Sequence, residues 1–231
     1  MIQKKLHKKG FDEMKIFRKG FAVAMAMIIT CSAFTVMPLT TSAMAVNETS
    51  VSASSTKSGK CGKDVKWSYN NKVLTVYGKG KMTTEIPESV TNYAEEIIVK
   101  DGDTDIGKLE TGERLKKVTL GKGITVIPGG LFAGCVKLKT VKLSNNLRTI
   151  ENDAFRWCES LTTITIPEKV RKILANPFME CSKLTKINVN KNNKTYISID
   201  GILFTKSKKT LAIYPLGKKN SAYNVPKTVY K

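Results

Sequence analysis

The sequence predicts an α/β, mostly β solenoid of 23-residue turns, with parallel strands, short helical turns and an N-terminal β-hairpin cap. Three observations carry this reading. First, Leu115, Leu138, Leu161 and Leu184 are each 23 residues apart, and six further columns keep the spacing over three turns. These are Val118, Val141, Ile164; Leu120, Leu143, Ile166; Ile124, Leu147, Val170; Ile127, Ile150, Ile173; Phe132, Phe155, Phe178; and Cys135, Cys158, Cys181. A chain that is 41% hydrophobic does not fill so many in-register positions by accident. Second, Val118-Thr119-Leu120 and its copies alternate apolar and polar, as a strand with one buried face does. Third, two β-rich runs around an asparagine turn precede the first repeat.

Residues 1–45 read as an export signal and stand apart from the fold. A lysine-rich start (Lys4, Lys5, Lys8, Lys9, Lys15, Arg18, Lys19) leads into the apolar run Phe21 to Leu39, and Ala43-Met44-Ala45 supplies the small-x-small cleavage pattern. An uncleaved membrane anchor is the alternative, since the run is almost long enough to span a bilayer; Pro38 and the cleavage pattern favour removal. On that reading no membrane span remains after signal cleavage. Residues 46–60 (VNETSVSASSTKSGK) are Ser/Thr-rich and short of large apolar groups, and read as a disordered linker.

Residues 61–114 read as the N-terminal cap followed by a degenerate repeat around Ile97-Ile98-Val99. Val65 to Tyr69 and Val73 to Tyr77 flank Asn70-Asn71-Lys72, which makes a hairpin. A hairpin there covers the end of a core that would otherwise meet water. Residues 115–231 read as the repeat array, with parallel strands at 118–120, 141–143, 164–166 and 187–189. The stretch Ile150 to Cys158 is too short for a full helix, so a helical turn or two is expected to return Phe155 and Cys158 to the core. No single turn can bury its own face, so stability comes from neighbours.

Charge and composition narrow the function. The net charge is +20; removing the seven Lys/Arg and two Asp/Glu of residues 1–45 leaves about +15, nearly all of it lysine. Lysine is a hydrated point charge, whereas base reading and bidentate phosphate clamps favour arginine, so no nucleic-acid partner is expected. The one histidine, His7, lies in the segment that export removes. The mature chain then has no imidazole for general-base work or metal ligation, and an enzyme is not expected.

The repeat L-x-x-V-x-L-x-x-x-h-x-x-I-x-x-x-A-F-x-x-C, met at every marked position in Leu138 to Leu161, resembles the BspA-like bacterial leucine-rich repeat. Leu131 and Pro177 depart from it, standing where the pattern has the alanine before Phe132 and Phe178. Cys61 to Trp67 with Leu74 to Met82 resemble the family's N-terminal cap. Residues 196–215 resemble its inserted hairpin, with Lys206 to Lys209 as the turn. The resemblance implies a leucine-rich-repeat solenoid, secreted or wall-associated, used for adhesion or protein binding and often a module of a larger protein.

Candidate chemistry is thin. Cys135, Cys158 and Cys181 invite a metal or disulfide, but in-register stacking points them the same way, and buried thiols acting as small hydrophobes are the favoured reading. Asp101, Asp103 and Asp105 imitate the opening of a calcium loop, yet Ile106 and Gly112 stand where glycine and glutamate belong, which favours an acidic surface loop. Glu151 and Asp153 have no matching polar surroundings one turn away. No cofactor and no metal site is expected. Asn193-Lys-Thr195 matches the glycosylation tripeptide, which carries no weight in a bacterial chain. Trp67 and Trp157 read as packing residues, with sugar stacking open for Trp157.

Binding has a natural place. The polar positions of the strands form two outward rows, Lys117, Thr140, Thr163, Lys186 and Thr119, Lys142, Thr165, Asn188. Short hydroxyls and lysines on a rigid sheet suit an extended protein ligand or an anionic wall or host glycan. The alternative is ordinary solvent-facing strand residues. At the level of function, a targeting or scaffolding module of a larger secreted enzyme is the runner-up. Finally, Tyr223 to Val229 repeats the pattern of Ile164 to Val170, with Val225 in the part of Ile166. A chain stopping at Lys231 would leave that turn unfinished, which predicts truncation and self-association through an open apolar end.

Overall fold

The computed structural model describes residues 56–102, 104–219 and 223–230. The expected signal of residues 1–45 and most of the expected linker lie outside these. The last four linker residues do not behave as linker: Lys57–Lys60 form strand β1, antiparallel to β2 (Asp64–Asn70). The reason is local. Trp67 is only 6% exposed and lies across β1 at Gly59, where an added Cβ would stand 2.9 Å from the indole nitrogen. A segment without large apolar side chains can thus add a strand by offering backbone and one bare glycine.

β2 and β3 (Val73–Lys81) form the expected hairpin. Its loop is Asn71-Lys72, with φ of 46° and 64°, the two-residue turn whose positive φ values match the twist of the strands. β3 is also the first rung of the parallel ladder. Leu74 and Val76 sit beside Ile97 and Val99 of β4 (Glu96–Val99), and β4 pairs in parallel with β6 (Lys117–Leu120), then β6 with β8 (Thr140–Lys142). Between β3 and β4 runs the one α-helix among the described residues, α1 (Glu88–Thr91). A two-residue strand β5 (Thr104–Asp105) pairs with the end of β3. The degenerate repeat around Ile97 is therefore a full rung.

Beyond β8, β10 (Thr163–Ile166) pairs in parallel with β12 (Lys186–Val189). Ladder bonding is interrupted between β8 and β10. Stacking continues there, since Ser160 N–H donates to Val136 O and Arg171 N–H to Arg148 O. A second, narrower parallel sheet joins β7 (Val126–Ile127), β9 (Thr149–Ile150) and β11 (Lys172–Ile173). The described residues thus form a mostly β solenoid with parallel strands and almost no helix.

The core is the set of columns read from the sequence. All are buried except Val141 and Ile173, which are half-buried. Phe132, Phe155 and Phe178 stack with ring centroids 5.2 and 5.6 Å apart. Each fully buried phenylalanine of this kind stabilises by roughly 1.5–3 kcal/mol before stacking is counted. The short helical turns expected between the second strand and the cysteine are instead non-helical turns. Left-handed residues interrupt them: Gly134, Trp157 and Glu180 occupy one column with φ of 78°, 59° and 60°. The turns are held together across the stack, Phe132 N–H to Ala154 O and Phe155 N–H to Pro177 O.

The inserted segment 196–215 is a three-stranded antiparallel meander, not a single hairpin: β13 (Tyr196–Ile199), β14 (Ile202–Thr205) and β15 (Leu211–Ile213). Asp200-Gly201, both at positive φ, make the extra turn, and Lys206 to Lys209 the expected one. Gly201 O accepts the N–H of Ile187, so the meander closes the edge of β12. That explains a second difference. Val225 does not take the part of Ile166: it is 49% exposed, and no strand forms over residues 223–230. Only the turn is repeated, Val229 N–H donating to Pro226 O as Val170 N–H does to Pro167 O, while Tyr230 N–H is held by Lys209 O.

Candidate functional site

The alternation that buries Val118, Leu120, Ile164 and Ile166 necessarily turns their neighbours outward. Lys117 stands beside Thr140 and Thr119 beside Lys142; Thr163 stands beside Lys186 and Thr165 beside Asn188. Of these eight, all are exposed except Thr119, which is half-buried. The interruption between β8 and β10 divides them into two blocks of four. In the second block Asn188 Nδ2 donates to Thr163 Oγ1 at 3.3 Å. Lys142 and Lys186 take part in no ion pair among the described residues.

The ladder extends the two rows toward the N-terminus with residues that repeat-by-repeat reading missed. Glu96 precedes Lys117 in one row, and Thr75 and Ile98 precede Thr119 in the other. Glu96 pairs with Lys117 at 2.8 Å. Beside it, Glu95 bridges Lys116 at 2.7 Å and Lys72 at 3.0 Å. The signal was present: Leu74, Ile97 and Val118 stand 23 and 21 residues apart, but the degenerate turn lacks the phenylalanine and cysteine that mark the others.

Hydrogen bonds from Lys116 and then Lys72 hold the Glu95 carboxyl down to about 2. A carboxyl depressed in the folded state contributes stability above its unfolded value, near 4.3, and loses it as pH falls through the folded one. The Glu95 contribution should therefore be present at neutral pH and disappear between about pH 4 and pH 2. A side-chain carbonyl titration by NMR should give Glu95 a midpoint near 2 that moves upward in Lys116→Gln. A midpoint near 4 in the unaltered chain would show that the bridge does not persist in solution.

The other candidates are absorbed by structure. Glu151 Oε2 accepts the N–H of Gly129 at 2.9 Å, and Asp153 Oδ2 accepts from Asn152. Asp101 Oδ1 accepts the N–H of Lys122, and Asp105 Oδ1 that of Gly107; Asp103 lies outside the described residues. Arg156 covers the Trp157 ring at 4.0 Å. The four cysteines of the described residues are free and buried. Cys158 Sγ donates to Phe132 O and Cys181 Sγ to Phe155 O, so each thiol also stitches one turn to the one before it. Burial pushes Cys135 up to about 11, and the Cys181 thiol together with burial raises Cys158, which keeps these two thiols protonated, while the bond with Cys158 lowers Cys181. Among the described residues no group of three His, Cys, Asp or Glu side chains is placed to hold a metal ion, and no helix is long and apolar enough to cross a membrane.

Comparison with known proteins agrees with this geometry. The family described as BspA type leucine rich repeat region matches residues 110–216, in six copies. No curated protein matches the chain. Among solved structures, a leucine-rich repeat protein from Eubacterium ventriosum is 22% identical, with a TM-score of 0.56 over 75% of this chain and 55% of that one. The pneumococcal vaccine antigen PcpA is 19% identical, with a TM-score of 0.49 over 75% and 60%. A leucine rich cell surface protein from Faecalibacterium prausnitzii is 21% identical, with a TM-score of 0.43 over 73% and 64%. The chain thus spans between 55 and 64% of the length of these proteins. The 23-residue turns stacked from Leu115 onward, and with them residues 110–216, belong to the BspA-type leucine-rich repeats.

Proposed function

We propose that this chain is a non-catalytic secreted or cell-surface binding module that uses the outward rows of its ladder for adhesion or protein binding. The observation that carries the reading is the ladder face itself. Two rows of threonine, lysine and asparagine are held on two hydrogen-bonded blocks of parallel strands and left exposed, Thr119 half-buried, with Lys142 and Lys186 in no ion pair among the described residues. A rigid sheet presents such groups without the ordering cost that a flexible loop would bring. The module's repeat class supports a binding role, and the basic, apolar and small-x-small order of residues 1–45 supports export. Among the described residues, Glu151, Asp101 and Asp105 each accept a backbone N–H, and one carboxylate oxygen of Asp153 accepts from the Asn152 amide.

The test is a pull-down from bacterial wall fractions and host matrix at two salt concentrations, with the chain and with Lys142→Glu/Lys186→Glu. Capture that is lost in the double variant, and weaker at high salt, supports the ladder face. Equal capture by both proteins sinks the reading.

A further inference from the structure

The cations of the solenoid are not equally available. On the ladder face Lys72, Lys116 and Lys117 are held by Glu95 and Glu96, while Lys142 and Lys186 stand in separate blocks without an ion pair among the described residues. The outer side of the narrow sheet β7–β9–β11 is different. There Thr149 stands between Val126 and Lys172. One residue earlier, Arg148 N–H donates to Thr125 O and Arg171 N–H to Arg148 O, so Arg148 and Arg171 are stacked one turn apart. Asn193 continues the stack, its Nδ2 on Val170 O at 3.1 Å, and Lys194 is the next residue, 23 positions after Arg171 in the sequence. Arg148, Arg171, Lys172 and Lys194 are all exposed, and none takes part in an ion pair among the described residues. Glu151, one turn on from Pro128, is bonded to Gly129, and Glu168 meets Arg171 through its backbone carbonyl.

We propose that this edge binds a linear anionic polysaccharide running along the solenoid axis. The inference rests on the reading of the module as a binding surface and assigns it a second face and a ligand class. Stacked strands stand about 4.8 Å apart, so the edge carries cations turn by turn: Arg148 and Arg171 one rung apart at the backbone, Lys172 next to Arg171 in the chain, and Lys194 directly after Asn193, which bonds Val170 O. Such a series of like charges repels itself until a counter-charge lies along it, and a linear polyanion meets every member in turn. Two of the four are arginines, whose fork engages two oxygens of a sulfate or phosphate at once. Arg171 Nη1 is already fixed, donating to Glu168 O at 2.7 Å and Val170 O at 3.2 Å, which reduces the ordering cost of binding.

The probe is a heparin fragment of about ten sugars, a linear sulfated glycan, measured against the full chain across a salt series. Arg148→Gln/Arg171→Gln/Lys172→Gln/Lys194→Gln should weaken binding roughly tenfold or more and flatten the salt dependence. Lys117→Gln/Lys142→Gln/Lys186→Gln on the ladder should change it less than about threefold. Neutral dextran of equal length should not compete. Because the four positions are exposed, melting should be unchanged; if the quadruple variant melts early, Arg148→Gln/Lys194→Gln, which leaves the Arg171 bonds intact, gives the same comparison. Unchanged affinity in the edge variants, an equal loss in the ladder variant, or competition by dextran overturns the proposal. So does tighter binding of a single-stranded polynucleotide than of the heparin fragment. Failure here leaves the ladder-face reading standing, since the pull-down variants Lys142→Glu/Lys186→Glu alter neither Arg148, Arg171, Lys172 nor Lys194.

Discussion

Leu143→Asp is expected to leave the repeat array unfolded. Leu143 is 7% exposed and stands in the column of Leu120 and Ile166, which are 3% and 0% exposed. A carboxylate placed there has no cation or donor among its apolar neighbours, and burying an unpaired charge costs many kcal/mol unless the group takes up a proton. Single domains are stable by only about 5–15 kcal/mol, so one such change removes most or all of it. The damage spreads because each turn is stabilised by the two beside it. Phe155→Ala is the graded comparison. It deletes the middle ring of the Phe132, Phe155, Phe178 stack and should cost about 3–5 kcal/mol while leaving a folded chain. Thr140→Asp, on the outward side of β8, should shift stability by no more than about 0.5 kcal/mol. Urea denaturation followed by circular dichroism separates the three. A Leu143→Asp protein with an unaltered midpoint would mean that this column is not a continuous apolar core.

The core was legible because burial of stacked turns leaves a period in the sequence that needs no partner information. Leu115, Phe132 and Cys135 have copies at the same spacing, and so the columns, the strands and the outward rows could be drawn before any coordinates. What escaped depends on single residues that break the period or on pairings between distant segments. β1 forms because Gly59 lets Trp67 lie across it, and nothing in a Ser/Thr-rich stretch announces that contact. The meander was read as one hairpin because β13 offers no alternation, all four of its residues being half-buried. Val225 copies Ile166 in sequence, but Gly201 already holds the β12 edge that a further rung would need. The candidate site shows the same division. The outward direction of the eight residues follows from the alternation, with Thr119 half-buried and the others exposed, whereas the Glu95 and Glu96 bridges that neutralise one end of their face required the register of β4.

Asn193 is the clearest case of a residue whose part is structural although its sequence context suggests modification, and its replacement should have the second large effect. It falls in the column of Ile124, Leu147 and Val170, where the other turns place an apolar side chain, and it is fully buried. Its Nδ2 donates to Pro167 O at 2.8 Å and Val170 O at 3.1 Å, joining this turn to the one before. Its Oδ1 accepts from Thr195 and Tyr196 N–H, both at 2.8 Å, and so shapes the entry into β13. Asn193→Leu keeps the branched outline, with the same number of side-chain heavy atoms, and removes all four bonds. Each buried backbone group left without a partner costs about 1–3 kcal/mol, and with some of them reaching water the total should be about 3–5 kcal/mol. Asn192→Ala, at the exposed neighbour, should cost little. Amide exchange supplies a readout that simple packing loss would not move: the Thr195 and Tyr196 amides should exchange far faster in Asn193→Leu, while those of β6, which are remote from it, keep their protection. The same geometry bears on the Asn193-Lys194-Thr195 tripeptide. A sugar on Nδ2 would have to displace both carbonyls and open the turn, so a chain exposed to a glycosylating system should carry no glycan at Asn193 once folded. A glycan found there on folded protein, or unchanged exchange at Thr195 and Tyr196 in Asn193→Leu, would show that these four bonds do not hold the turn.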